Sequence, residues 1–218
     1  MPKIIYKQQH VGDNGRKFSA SRNSHYVKYI GEREHVLKTS HETNLVKYMG
    51  EREHAAKFDN ADHTIDYDIT GKYAADNMAE YNNGLFGYIN GKFSDKYSTS
   101  EMQKYVRKIS TPHRNVFHSV FSFTPESAVE AGLNTLDDWE NWVKYHISDI
   151  ANCMNMKIEN IEYLAAVHLK EGQPHVHIMW WDKQQQVLIN KVDPIVCDNI
   201  RIAAIKSTYH DQFVMKIS

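Results

Sequence analysis

The sequence predicts an α+β fold, a central and mainly antiparallel sheet with helices packed on it. Three observations carry that reading. Runs at 3–8, 116–123, 161–168 and 175–181 are rich in β-branched and aromatic residues. The last two are joined only by Lys170-Glu171-Gly172-Gln173-Pro174, a connection short enough for a hairpin and too short for a parallel crossover. Between the strand-like runs lie segments with helical periodicity, such as Leu136–Met154. Layers of this kind bury one face of each element against the other.

Taken in order, Lys3-Ile4-Ile5-Tyr6-Lys7 reads as a first strand and Asp13-Asn14-Gly15 as a turn. A repeat follows. Val27-Lys28-Tyr29-Ile30-Gly31-Glu32-Arg33-Glu34-His35 recurs nineteen residues on as Val46-Lys47-Tyr48-Met49-Gly50-Glu51-Arg52-Glu53-His54. Two copies are too few for a solenoid, so the pattern is a local duplication within about 25–54. Apolar residues spaced by three in each copy predict two helices or helical turns, against the helix-weakening Gly31 and Gly50. Residues 59–71 are acidic and loop-like, and Lys72–Tyr81 reads as a short helix. Leu85-Phe86-Gly87 opens a glycine-bearing loop reaching Gly91. Ser100 with Gln103 suggests a capping box on a helix to about Ile109. Val116–Phe123 is a strand expected beside the two later ones. Thr135 caps a helix whose Trp139, Trp142, Val143, Ile147 and Ile150 form a core stripe, so these tryptophans are expected to pack rather than to stack on bases. Gln184–Asn190 suggests a turn and a short strand. Asp193-Pro194 opens a last helix, after about 194 and running to about Ile217, with proline suited to the first turn.

Length and composition bound the rest. At 218 residues the chain is expected to be one domain spanning 1–218, with the duplicated segment and the C-terminal helix as its special features. Cys153 and Cys197 show no CxxC spacing, which argues against a disulfide framework and for a reducing cytoplasm. MPKIIYKQQH lacks the apolar core of a signal peptide, and no run approaches membrane-spanning length. The net charge of −1 does not advertise a nucleic-acid binder, but residues 1–60 hold eleven Lys/Arg against seven Asp/Glu. A basic first part can follow a phosphate backbone.

The chemistry concentrates in IEYLAAVHLKEGQPHVHIMWWD, residues 161–182. His175 and His177 are two apart on a strand and so project from one face. In an antiparallel hairpin His168 lies across from His175. Three neutral imidazoles on one patch suit Zn, Mn, Fe, Co or Ni and leave positions open for substrate or water. His118, on the neighbouring strand, is a weaker ligand candidate, because a fourth imidazole would close an open position. Glu162, Glu171 and Asp182 are carboxylates that could orient the rings.

His175-Val176-His177 with the preceding His168 resembles the metal motif of the HUH endonucleases. AAVHLKEGQPHVHIMWW is similar to the relaxases of conjugative plasmids, most closely the MobL-type relaxases. A tyrosine pattern beginning at His25-Tyr26-Val27-Lys28-Tyr29-Ile30 resembles the N-terminal motif of the same family, and a GLFG segment like Gly84–Gly87 occurs there too. The resemblance covers most of residues 1–182. It implies a relaxase-like two-layer sandwich whose middle strands carry the histidines. It implies metal ligands His168, His175 and His177, with manganese or magnesium foremost and zinc, nickel or cobalt as alternatives. It implies Tyr26 and Tyr29 as nucleophile candidates, with Tyr48 their counterpart in the second copy and Arg33 one turn beyond Tyr29. The implied activity is strand-specific nicking of single-stranded DNA at an origin of transfer, through a 5′-phosphotyrosine link, for plasmid mobilisation. Implied partners are that DNA, relaxosome accessory proteins and a coupling protein. Other readings are a rolling-circle replication initiator or a transposase, for which Tyr209 is the C-terminal tyrosine candidate, and a non-catalytic DNA-binding module.

Overall fold

The computed structural model describes residues 4–10, 17–32, 36, 84–110, 115–169, 173–184 and 192–210. The second repeat copy, Arg33, the acidic stretch 59–71, the helix expected over 72–81, Glu171, the strand expected within 185–190 and residues past 210 lie outside them.

Six strands form one sheet: β1 (Ile4–His10), β2 (Phe86–Ile89), β3 (Lys92–Ser94), β4 (Val116–Phe123), β5 (Ile161–His168) and β6 (His175–Asp182). Their order is β1-β4-β6-β5-β2-β3, with every neighbouring pair antiparallel. The α+β class and the antiparallel sheet are those read from the sequence, and β5 and β6 are its two middle strands. The helices are α1 (Lys17–Glu32), α2 (Thr99–Ile109), α3 (Pro125–Glu130), α4 (Leu136–Cys153) and α5 (Pro194–Thr208).

Every residue of β5 is buried, as is every residue of β6 after His175. Strands apolar on both sides need cover on both sides. One cluster joins Val27 and Ile30 of α1 and Met102, Val106 and Ile109 of α2 to Leu164, Ala166, Met179 and Trp181. The opposite face carries Phe117, Phe121, Phe123 and Trp180 against Trp139, Trp142, Val143 and Ile147 of α4 and Ile200 and Ala204 of α5. Helices therefore flank both faces of the sheet. Trp139 and Trp142 are buried and meet Phe123 edge-on, so they pack as the stripe predicts. Full burial of side chains of this size contributes about 1.5–3 kcal/mol each.

Local chemistry sets most of the helix ends. Thr135 Oγ1 accepts from Asp138 N at 3.2 Å while Asp138 Oδ2 accepts from Thr135 N at 2.8 Å, a complete capping box. Asp193 Oδ1 accepts from Ile195 N at 2.8 Å, with Pro194 in the first turn. The helix expected to open on a Ser100–Gln103 box instead has Ser98 at its N-cap without a side-chain cap bond. Gln103 donates from Nε2 to the Ser24 carbonyl at 3.1 Å, tying α2 to α1. The last helix is described over Pro194–Thr208, and the expected end near Ile217 lies outside the described residues.

The stretch read as a glycine-bearing loop from Leu85 to Gly91 is a β-hairpin. Asn90 and Gly91 take φ of 54° and 77°, the two left-handed residues of a tight turn. Gly87 pairs with Leu164 so closely that an added Cβ would lie 2.2 Å from the Tyr163 carbonyl oxygen. The glycine that looked like loop punctuation is what admits β2 to its place beside β5.

Glu140 of α4 is buried although its Lys144 partner lies 3.9 Å away. Desolvation raises its carboxyl from 4.5 to about 7; Lys144 opposes the shift, and Asp95 and Asp137 add to it. In that window the folded state holds more protons than the unfolded state, so stability falls as pH rises from 4.5 to about 7. Glu140→Gln is expected to raise unfolding free energy by about 1 kcal/mol at pH 8 and leave it unchanged near pH 4 in denaturant titrations. A difference that did not vary with pH would contradict this origin.

Candidate metal centre and tyrosine site

The β5–β6 register puts His168 directly opposite His175 and Ala166 opposite His177. All three imidazoles therefore sit at one end of one sheet face. One ring nitrogen from each lies within 4.8 Å of the other two, and ring centroids are 4.6–5.2 Å apart. Among the described residues this is the group able to hold a metal ion.

Hydrogen bonds fix which nitrogen does what. A carbonyl oxygen only accepts, so a ring nitrogen bonded to one must carry the proton. His168 Nε2 donates to the Ile30 carbonyl at 2.9 Å, which leaves the lone pair on Nδ1. His175 Nδ1 donates to the Gln173 carbonyl at 2.8 Å, which leaves the lone pair on Nε2. His177 Nδ1 lies 2.8 Å from the Tyr26 hydroxyl. Each ring thus has one nitrogen held by an orienting partner while one ring nitrogen from each belongs to the metal-capable group, the usual tuning of imidazole ligands. The residues fit a divalent ion.

Of the carboxylates weighed from sequence, Glu171 lies outside the described residues. Glu162 accepts from Trp181 Nε1, Tyr105 Oη and the Asn90 backbone at 2.9, 3.1 and 2.8 Å, a network fixing the other end of that face. Asp182 ends β6, opposite Ile161, and accepts from Gln184 N at 2.8 Å.

Helix α1 brings the tyrosines in. Val27 and Ile30 are fully buried on the sheet, and Gly31 passes so near Leu85 that a Cβ would stand 2.7 Å from its Cγ. Ala166 belongs to the same buried cluster as Val27, Ile30 and Leu85. The Ile30 carbonyl belongs to the last turn of α1, where carbonyls lack helical partners, and His168 supplies the missing donor. The negative end of the helix dipole is thereby turned toward the cluster, a placement that favours positive charge there. Just past the helix, Val36 bridges His168 through the backbone.

Tyr26 is mostly buried, stacked on His118 with centroids 4.0 Å apart and planes 14° apart. Burial, with Tyr29 adding to it, raises its hydroxyl above the ordinary phenol value, so it rests as the neutral phenol. Tyr29 stacks on Tyr26 at 5.4 Å and meets His177 edge-on at 5.9 Å, with 41% of its surface exposed. The structure therefore brings Tyr26, Tyr29, His168, His175 and His177 into one site. It sets His118 beside the tyrosine and outside the metal-capable group. Tyr48 lies outside the described residues. Tyr209 is buried in the cluster on the opposite sheet face, where its hydroxyl donates to the Ser127 carbonyl at 2.7 Å and burial pushes its pKa up to about 12. Sequence reasoning missed the two orienting carbonyls, which no side-chain pattern could announce.

Fold and cluster together define a class of protein: an antiparallel α+β sheet that presents three imidazoles to a buried tyrosine borne on a helix. A family model for MobL relaxases matches residues 1–201, and the chain belongs to that family. No curated protein and no solved structure matches it. Among the described residues no helix is long and apolar enough to cross a membrane.

If the triad holds an ion, adding manganese at a hundredfold excess over its Kd should raise folding stability by about 2.7 kcal/mol. His177→Ala should abolish that gain in a thermal or denaturant assay. An equal gain in wild type and variant would place the ion elsewhere.

Proposed function

We propose that the chain nicks single-stranded DNA at an origin of transfer by tyrosine transesterification, with Tyr26 as the attacking group. The observation that carries this reading is the Tyr26 hydroxyl lying 2.8 Å from Nδ1 of a triad histidine. Family membership supports a relaxase role, and the basic first sixty residues suit a phosphate-backbone ligand.

His168, His175 and His177 would hold the divalent ion, manganese or magnesium foremost, which supplies Lewis-acid polarisation of a phosphoryl oxygen. The chain's own part is to position the phenol. The Tyr26 oxygen bonds to phosphorus as the bond to the 3′ oxygen breaks, and the phenol proton passes through solvent to the departing 3′-OH. One phosphodiester is exchanged for another, so the bond energy is retained and the same site can reseal the strand. Held between ring partners, Tyr26 starts with much of its orientational freedom already lost.

Tyr29 shares the stack, but its ring is 41% exposed, which favours a role beside the attacking group. The rolling-circle initiator reading draws no support from Tyr209, whose hydroxyl is committed to a carbonyl on the opposite face. Relaxosome accessory proteins, a coupling protein and a cytoplasmic location belong to the same reading.

The test is cleavage of a labelled single-stranded oligonucleotide bearing the plasmid's origin of transfer, with manganese. Tyr26→Phe should lower covalent adduct formation by about 1,000-fold or more, while Tyr29→Phe should stay within about fivefold of wild type. Loss of the adduct in Tyr29→Phe with its retention in Tyr26→Phe would transfer the role to Tyr29. Retention in both would end the N-terminal tyrosine reading.

A further inference from the structure

We propose that His118 is a positioning residue for the nicking reaction, a flat platform that sets the plane of the Tyr26 ring. The proposal rests on the reading of Tyr26 as the attacking group.

His118 lies on β4, opposite Met179 of β6, on the sheet face that carries the triad. It is 2% exposed and does not belong to the metal-capable group. Its imidazole meets the Tyr26 ring almost face to face, at 4.0 Å and 14°, the closest and most nearly parallel of that ring's aromatic contacts among the described residues. A hydrogen bond between the hydroxyl and His177 fixes a distance and leaves the ring free to pivot about it. In-line attack on phosphorus needs direction as well as distance, and small misplacements of a reacting group are costly in rate. A rigid, buried ring beneath the phenol removes the pivot, and Tyr29 stacked on the same phenol at 5.4 Å adds a second constraint. What the site needs at position 118 is then a flat ring of this size, and a nitrogen ligand is not required there.

The experiment compares His118→Phe with His118→Leu in the full chain, since both fill the buried site and only phenylalanine restores a flat face. Single-turnover cleavage of the oligonucleotide is read beside its Kd and beside a manganese titration. The expected result is cleavage within about threefold of wild type for His118→Phe and about 30-fold slower for His118→Leu, with both Kd values within twofold. His118→Phe as slow as His118→Leu would overturn the proposal, because the imidazole nitrogen would then be what matters. So would manganese affinity lost in both, which would make His118 a ligand. Tyr26→Phe is run alongside. An adduct persisting there removes the Tyr26 reading itself, whereas an adduct lost there with His118→Leu cleaving at the wild-type rate removes the platform alone.

Discussion

The site depends on the pairing of β5 with β6. Because His168 faces His175 across the ladder and His177 follows two residues on, three imidazoles share one end of one face. A slip of one residue would turn every side chain of a strand to the other face and scatter the cluster. The register is held by the burial of both strands on both faces, with the Trp180 side packed on Phe117 and the Trp181 side tied to Glu162. The chemistry at the open end is thus anchored by a core roughly six residues away along the same strands.

The second dependence runs from the sheet to α1. His168 donates to the Ile30 carbonyl, and the chain just past the helix pairs with His168 again through Val36. One histidine therefore presents a nitrogen to the cluster and secures the helix that carries the tyrosines. Buried Val27 and Ile30, and the close pass of Gly31 over Leu85, set the height of that helix above the sheet. The imidazole cluster and the tyrosine placement are in consequence mechanically joined, as the proposed reaction at one phosphate requires.

Much of this was legible in the chain. The short Gly/Pro connection and the two-residue spacing of His175 and His177 are local signals, and local signals fix hairpin geometry. The stripe of Trp139, Trp142, Val143, Ile147 and Ile150 and the Thr135 cap are local in the same sense. What escaped was set by distant partners. The bond from His168 to Ile30 joins residues 138 apart. Gly87 reads as a loop residue until the Tyr163 carbonyl stands over it. Gln103 matched a capping box, yet its amide is drawn to the Ser24 carbonyl of another helix. His118 was visible as a histidine on a strand, but its stacking on Tyr26 depends on where α1 lands.

The central claim is that one cation and one phenol share a single centre built by β5, β6 and α1. Anomalous diffraction from crystals grown with manganese tests it most directly. The account predicts one strong peak among His168, His175 and His177, beside the Tyr26 hydroxyl. A peak elsewhere, or none within the triad with the ion present in excess, would contradict it.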